Sequence, residues 1–123
     1  MVLAFRHPAA GCQLVKGSID KDESPKAAAE RELEEEAGVS ATAVADLGLW
    51  QSEHEDQVWS FHLCRTSIAL PETWKHWCED DGGHWFEFFW QPLNTTSLPE
   101  WHPVHARAFA FIKRVLHSRS ISR

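Results

Sequence analysis

Between Ser24 and Gly38 the sequence carries the start and stop signals of a helix, and any fold has to accommodate it. Ser24 offers a hydroxyl that can accept from an unpaired amide of the first turn. Pro25 stands at the first helical position, where a missing N–H costs nothing. Ala27, Ala28, Ala29 and the glutamates that follow are strong helix formers. Gly38 suits the left-handed residue just past the end. A helix over 25–37 is therefore expected. At roughly 100° per residue, Ala29, Leu33 and Ala37 make a narrow apolar stripe that should face the core. Glu30 and Glu34 lie on one side of it. Glu32, Glu35 and Glu36 converge on a separate arc on the other side, beside the small Ala28. Carboxylates at i, i+3 and i+4 repel by roughly a few tenths of a kcal/mol per pair when exposed. A solvated acidic face tolerates that cost, and a divalent cation with hard oxygen ligands would turn it to use. Spacing alone does not decide between the two.

The rest of the chain supplies a setting. Val2–Phe5 and Cys12–Val15 read as short strands joined by a turn at His7–Gly11. A loop over 16–23 leads into the acidic helix. Ala43–Trp50 and Val58–Thr66 read as strands. His84–Leu93 reads as another, aromatic on both faces and so expected to be buried on both. The stretch 67–83 reads as a long loop with helical turns. Val104, Ala108, Phe111, Ile112 and Val115 recur at helical spacing and predict a second helix from Pro103 to about His117. The tail over 117–123 is expected to fray. With 123 residues and no repeat or linker, one α/β domain spanning 1–123 is expected.

Composition narrows the function. A formal net charge of −6, from 18 acidic and 12 basic residues, argues against binding long nucleic acid through its backbone. A phosphate substrate would need a metal or a local cationic patch. Cys12, Cys64 and Cys78 are odd in number and lack metal-ligand spacing, so they are expected as thiols of a reducing compartment. The N-terminal run Val2–Phe5 is too short for a signal peptide or a membrane span, so no membrane partner is expected and the location is cytoplasmic by default.

Gly17, Glu23, Arg31-Glu32-Leu33, Glu35-Glu36 and Gly38-Val39 form one continuous pattern over residues 17 to 39. It resembles the Nudix box, G-x5-E-x7-R-E-U-x-E-E-x-G-U with U a bulky aliphatic residue, at all nine specified positions. The resemblance implies an α/β/α sandwich with a mixed β-sheet between helices, the box forming a loop–helix–loop. It implies that Glu32, Glu35 and Glu36, helped by the backbone carbonyl of Gly17, hold Mg2+ or Mn2+. It further implies a structural ion pair between Glu23 and Arg31. The reaction class is hydrolysis of a phosphoanhydride in a nucleoside diphosphate linked to another group, with a small nucleotide-like molecule as substrate.

Clustered charge should make one glutamate a proton acceptor. Glu32 is assigned that role, with Arg31 as its catalytic partner, while Glu53, Glu55, Asp56, Glu79, Asp80 and Asp81 remain open as bases. Lys16, before the box glycine, is similar to the Pro-Lys-Gly of the dinucleoside-polyphosphate and RNA-end-processing branches, although Val15 replaces the proline. It reads either as a substrate-binding cation or as an exposed loop lysine. Trp50, Trp59, Phe61, Trp85 and Phe88 are candidates for base stacking, each more commonly core. His84, His102 and His105 lack zinc partners and read as surface or helix-start histidines.

One departure stands out. In the family a longer segment with an additional strand usually precedes the box, whereas here sixteen residues precede Gly17. The N-terminal strand is thus expected to be short or missing and the sheet edge open, which invites pairing into a homodimer. The alternative function is a non-catalytic nucleotide-binding or regulatory module on the same fold. The three intact glutamates favour the enzyme, and the short N-terminal segment favours the module.

Overall fold

The structure, a computed structural model, describes residues 1–16, 19–79 and 82–121. Gly17, expected to offer its carbonyl to a metal, and Asp80 and Asp81, two of the candidate bases, lie outside the described residues. In chain order the elements are β1 (Val2–His7), β2 (Gly11–Leu14), α1 (Pro25–Ala37), β3 (Thr42–Gln51), β4 (Val58–Arg65), β5 (Trp74–Cys78), β6 (His84–Gln91) and α2 (Pro103–Ile121).

The strands form a four-stranded sheet in the order β2-β1-β6-β5 and a two-stranded sheet of β3 and β4. Every strand pairing is antiparallel. The mixed pairing expected of the fold is confined, among the described residues, to one parallel bridge between Cys12 and Trp101. β1 is hydrogen-bonded on both sides, with Ala4 opposite Leu14 and Phe5 opposite Phe88. It is therefore an interior strand, and the open edge expected there falls instead at β2 and β5.

Side chains alternate across a strand, and the two faces of the larger sheet serve two helices. Ala4, Cys12 and Leu14 join Val104, Ala108, Phe109 and Ile112 of α2 in one core. Phe5, Phe86, Phe88 and Cys78 join Ala37 at the end of α1 in the other. This is the layered helix–sheet–helix arrangement, with the rings of Phe5 and Phe86 stacked at 4.3 Å. β6 buries Phe86 and Phe88 fully on one face, while on the other Phe89 packs half-buried against the α2 core and Trp85 is 57% exposed. The expectation of burial on both faces holds in part at Phe89 and fails at Trp85, which among the described residues has the edge-on Trp77 across the ladder as its ring contact.

Two further corrections concern extent. The expected loop over 67–83 contains β5, whose five residues Trp74–Cys78 are ordered by pairing with β6. A run that short carries little local signal, and its partner lies further along the chain. α2 runs as far as Ile121, into the stretch expected to fray, and Ser122 and Arg123 of that stretch lie outside the described residues. No proline or glycine interrupts 117–121, and Arg119 in the last turn complements the negative end of the helix.

Candidate active site

The box helix begins and ends as its sequence dictates. Ala27 N donates to Ser24 Oγ at 3.1 Å, and Gly38 closes the helix at φ 72°, its N–H donating to Glu34 O. A side chain at Gly38 would press on the His76 ring, 2.7 Å from where a Cβ would stand. Glu30 ties α1 to β3, its Oε2 accepting from Ala43 N at 2.8 Å and from Lys26 Nζ at 3.0 Å. Those contacts, that to Ala43 first, hold its carboxyl below the usual range.

The face that α1 turns inward includes the expected stripe, with Ala37 in the core and Leu33 packed against it, but is wider than expected. Ala28, Glu32, Glu36 and Ala37 are buried, Glu32 and Glu36 to 9% and 8% exposure, whereas Ala29 and Leu33 are half-buried. The inward arc thus includes two of the three carboxylates. Buried charge needs partners, and the partners are present. Arg31 Nη1 donates to Glu32 Oε1 at 2.7 Å and to Glu35 Oε2 at 3.1 Å. The backbone N–H of Lys16 donates to Glu36 Oε2 at 3.1 Å. Glu35 remains exposed.

Arg31 also reaches back to the loop. Its Nε donates to Glu23 Oε2 at 2.8 Å and its Nη2 to Glu23 Oε1 at 2.9 Å, a fork matched to a carboxylate. Asp20 Oδ2 stands 3.6 Å from Nη2. The Arg31 bonds, and then the N–H of Asp20, hold the Glu23 carboxyl down to about 2. The Arg31 guanidinium is in turn pushed further into its charged form by Glu23 and Glu32. One arginine therefore links the loop before the helix to two of the glutamates on it.

A cavity of about 680 Å³ opens beside this network. Ala28, Ala29, Glu32 and Leu33 of α1 line one side of it, Lys16 and Leu14 another, and Trp59, Ser60, Phe61 and His62 of β4 a third. Lys16 Nζ lies 4.9 Å from the centroid of the Trp59 ring. Lys16 and Glu32 thus line the same cavity. Glu53, Glu55, Asp56 and Glu79 do not line the cavity. The first three stand exposed in the β3–β4 turn with φ values of 58°, 52° and 56°. That turn is organised by buried Ser52, whose Oγ donates to Gln57 O at 2.8 Å.

The aromatic candidates divide. Phe88 and Trp59 are buried, Trp50 and Phe61 half-buried and Trp85 exposed; Trp59 and Phe61 line the cavity. The histidines divide too. His105, expected at the surface or at a helix start, lies in the first turn of α2 and is buried, because it occupies the helix face that α2 turns to β2 and Nδ1 accepts from Leu14 N at 3.0 Å. The three cysteines are free thiols.

Carboxylates are the hard oxygen donors that Mg2+ or Mn2+ takes, so the donor chemistry of Glu32, Glu35 and Glu36 fits such an ion. Among the described residues no three His, Cys, Asp or Glu side chains are gathered as a metal cluster. Glu32 and Glu35 converge instead on the same arginine nitrogen.

The family model for the NUDIX domain matches residues 1–112. No curated protein and no solved structure matches the chain. The family match runs from the first strand well into α2 and encloses the acidic helix, the arginine brace and the cavity, and the chain accordingly belongs to the NUDIX domain family.

Proposed function

We propose that the protein is a metal-dependent phosphoanhydride hydrolase in which Glu32 takes the proton from the attacking water. Family membership carries the coarser statement: a pyrophosphohydrolase-type enzyme acting on nucleoside diphosphate derivatives. The metal, the base and the role of Lys16 are the finer reading. The observation that carries it is the placement of Glu32, a nearly buried carboxylate in the wall of a cavity that Lys16 also lines.

Glu32, Glu35 and Glu36, with the carbonyl of Gly17, would hold Mg2+ or Mn2+. That ion, when bound, neutralises phosphate oxygens and lowers the pKa of its water. Arg31 keeps Glu32 in one orientation through Nη1 while its other nitrogens are anchored on Glu23. A base fixed in this way is ready before substrate arrives. The Lys16 ammonium offsets negative charge on the phosphates in a cavity whose other walls are largely apolar, where such charge is felt strongly. The same reading treats the chain as a homodimer, supported by Val44, Leu49, Val58 and Leu63, which the two-stranded sheet leaves exposed.

The test is hydrolysis of four substrate types, an oxidised nucleoside triphosphate, a dinucleoside polyphosphate, ADP-ribose and a nucleotide sugar, with and without Mg2+. Turnover of one type is expected, abolished by chelator and reduced by Glu36→Gln beyond the ~10–100-fold typical of groups that only support a metal ligand. Folded protein that binds Mn2+ and turns over none of the four would favour the non-catalytic nucleotide-binding module.

A further inference from the structure

Lys16 is fixed at two points. Its backbone N–H donates to Glu36 Oε2 at 3.1 Å, and its ammonium stands 4.9 Å from the centroid of the Trp59 ring. A lysine stem has several rotatable bonds and, left to solvent, samples many rotamers. An ammonium within about 6 Å of an aromatic centroid is drawn to the negative face of the ring. Among the described residues the Lys16 ammonium makes no ion pair, although the chain carries 18 acidic residues. Its charge is thus placed but not neutralised, and it stays available to an anion that enters the cavity it lines.

The ring is itself held from several sides. Trp59 is 7% exposed. Its Nε1 donates to Gln57 Oε1 at 3.2 Å, which fixes the indole within its own plane. Trp50 meets it edge-on at 5.3 Å, and His105 packs against it at 5.0 Å. Burial first, and then His102 and Lys16, push the His105 pKa down to about 3, so the charge at this ring is that of Lys16 and not of the imidazole. So little free surface leaves scant room for a base to stack, whereas an ammonium needs only a small patch of ring. We infer that Trp59 is a positioning residue, whose indole holds the Lys16 ammonium at a set reach from the Glu36 carboxylate, ready for the substrate's phosphates. A cation ordered in advance loses less entropy when those phosphates arrive. The inference rests on the phosphate-binding reading of Lys16 given above.

A residue that acts through Lys16 has no effect once the ammonium is gone. Lys16→Met should weaken binding of inorganic pyrophosphate by about tenfold or more, the loss of a charged partner. Trp59→Leu should weaken it by about twofold to fivefold, the range of a partly exposed ammonium–ring contact. Trp59→Phe, which keeps an aromatic face, should recover part of that loss. In the Lys16→Met background, Trp59→Leu should make no further difference.

The experiment is isothermal titration of the full chain and these variants with inorganic pyrophosphate and Mg2+, paired with proton NMR of the Lys16 ε-methylene. An indole ring current moves that methylene upfield. The expected result is an upfield signal in the wild type that persists when pyrophosphate is saturating, together with the pattern of affinities above. A signal at the free-lysine position, or one released there by pyrophosphate, overturns the proposal, and this readout needs no substitution of the buried ring. So does a Trp59→Leu affinity equal to or tighter than wild type, or an equal further loss in the Lys16→Met background. Unchanged pyrophosphate binding with weakened nucleoside monophosphate binding in Trp59→Leu would make the ring a base platform instead. Wild-type affinity in Lys16→Met sinks the phosphate reading of Lys16 and this inference with it. Weaker binding in Lys16→Met with none in Trp59→Leu sinks the inference alone.

Discussion

His105 shows what burial does to a single titratable group. Its Nδ1 accepts from Leu14 N, so the ring is neutral with its proton on Nε2. Burial first, and then the neighbouring His102 and Lys16, push its pKa down to about 3. The unfolded chain returns it to about 6.5. Below that pH the unfolded state binds a proton that the native state refuses, so stability is whole above 6.5 and declines as the pH falls toward 3. Glu23, held at about 2 by Arg31, adds its own loss only below the ordinary carboxylate pKa of about 4.3. The interval from 6.5 to 4.5 therefore lies above the range in which Glu23 contributes. Urea unfolding followed by tryptophan fluorescence should show up to about 3 kcal/mol lost across it, two units at about 1.4 kcal/mol each. His105→Phe should flatten that slope whatever it does to absolute stability, and an unchanged slope would rule His105 out as the cause.

At the scale of elements, α1 is held at both ends by side chains that are remote in sequence. At its C-terminus Trp74 Nε1 donates to Ala37 O at 2.9 Å, and His76 Nδ1 lies 2.9 Å from Glu36 O. β5 thus satisfies two of the carbonyls that every helix end leaves without an internal partner. At its N-terminal side the Arg31–Glu23 fork binds the preceding loop to the helix. The Arg31 nitrogen that does not grip Glu23 is the one that orients Glu32 and Glu35. Glu23→Gln halves the charge match and frees the guanidinium to tilt. A fall in kcat/KM of roughly 10–100-fold is expected, the range seen when a group supporting a metal ligand is lost. Far-UV circular dichroism should stay that of wild type, because the helix caps are untouched. Full activity in Glu23→Gln would mean that the brace does not set the glutamates.

At the scale of the whole molecule, the two sheets and α1 bound the cavity, and one strand, β4, supplies its longest wall. No helix among the described residues is long and apolar enough to cross a membrane. The two-stranded sheet leaves Leu49 69% and Val58 56% exposed, and each of its strands has an unpaired edge among the described residues. Light scattering at micromolar concentration should therefore give twice the chain mass, and Leu49→Lys should return it to one. A wild-type monomer would count against the dimer. The sequence by itself determined the bounds of α1 and the left-handed stop at Gly38, because capping is settled within a few residues, and the Glu23–Arg31 pair followed from the resemblance of residues 17 to 39 to the Nudix box. The strands β1 to β4 were legible locally too, each being a short apolar run closed by turn residues. Only the tertiary structure decided that Glu32 and Glu36 turn inward, that β5 exists, that His105 is buried and that Lys16 meets Trp59. Burial and strand pairing depend on which distant segment comes to lie opposite, and no local pattern encodes that.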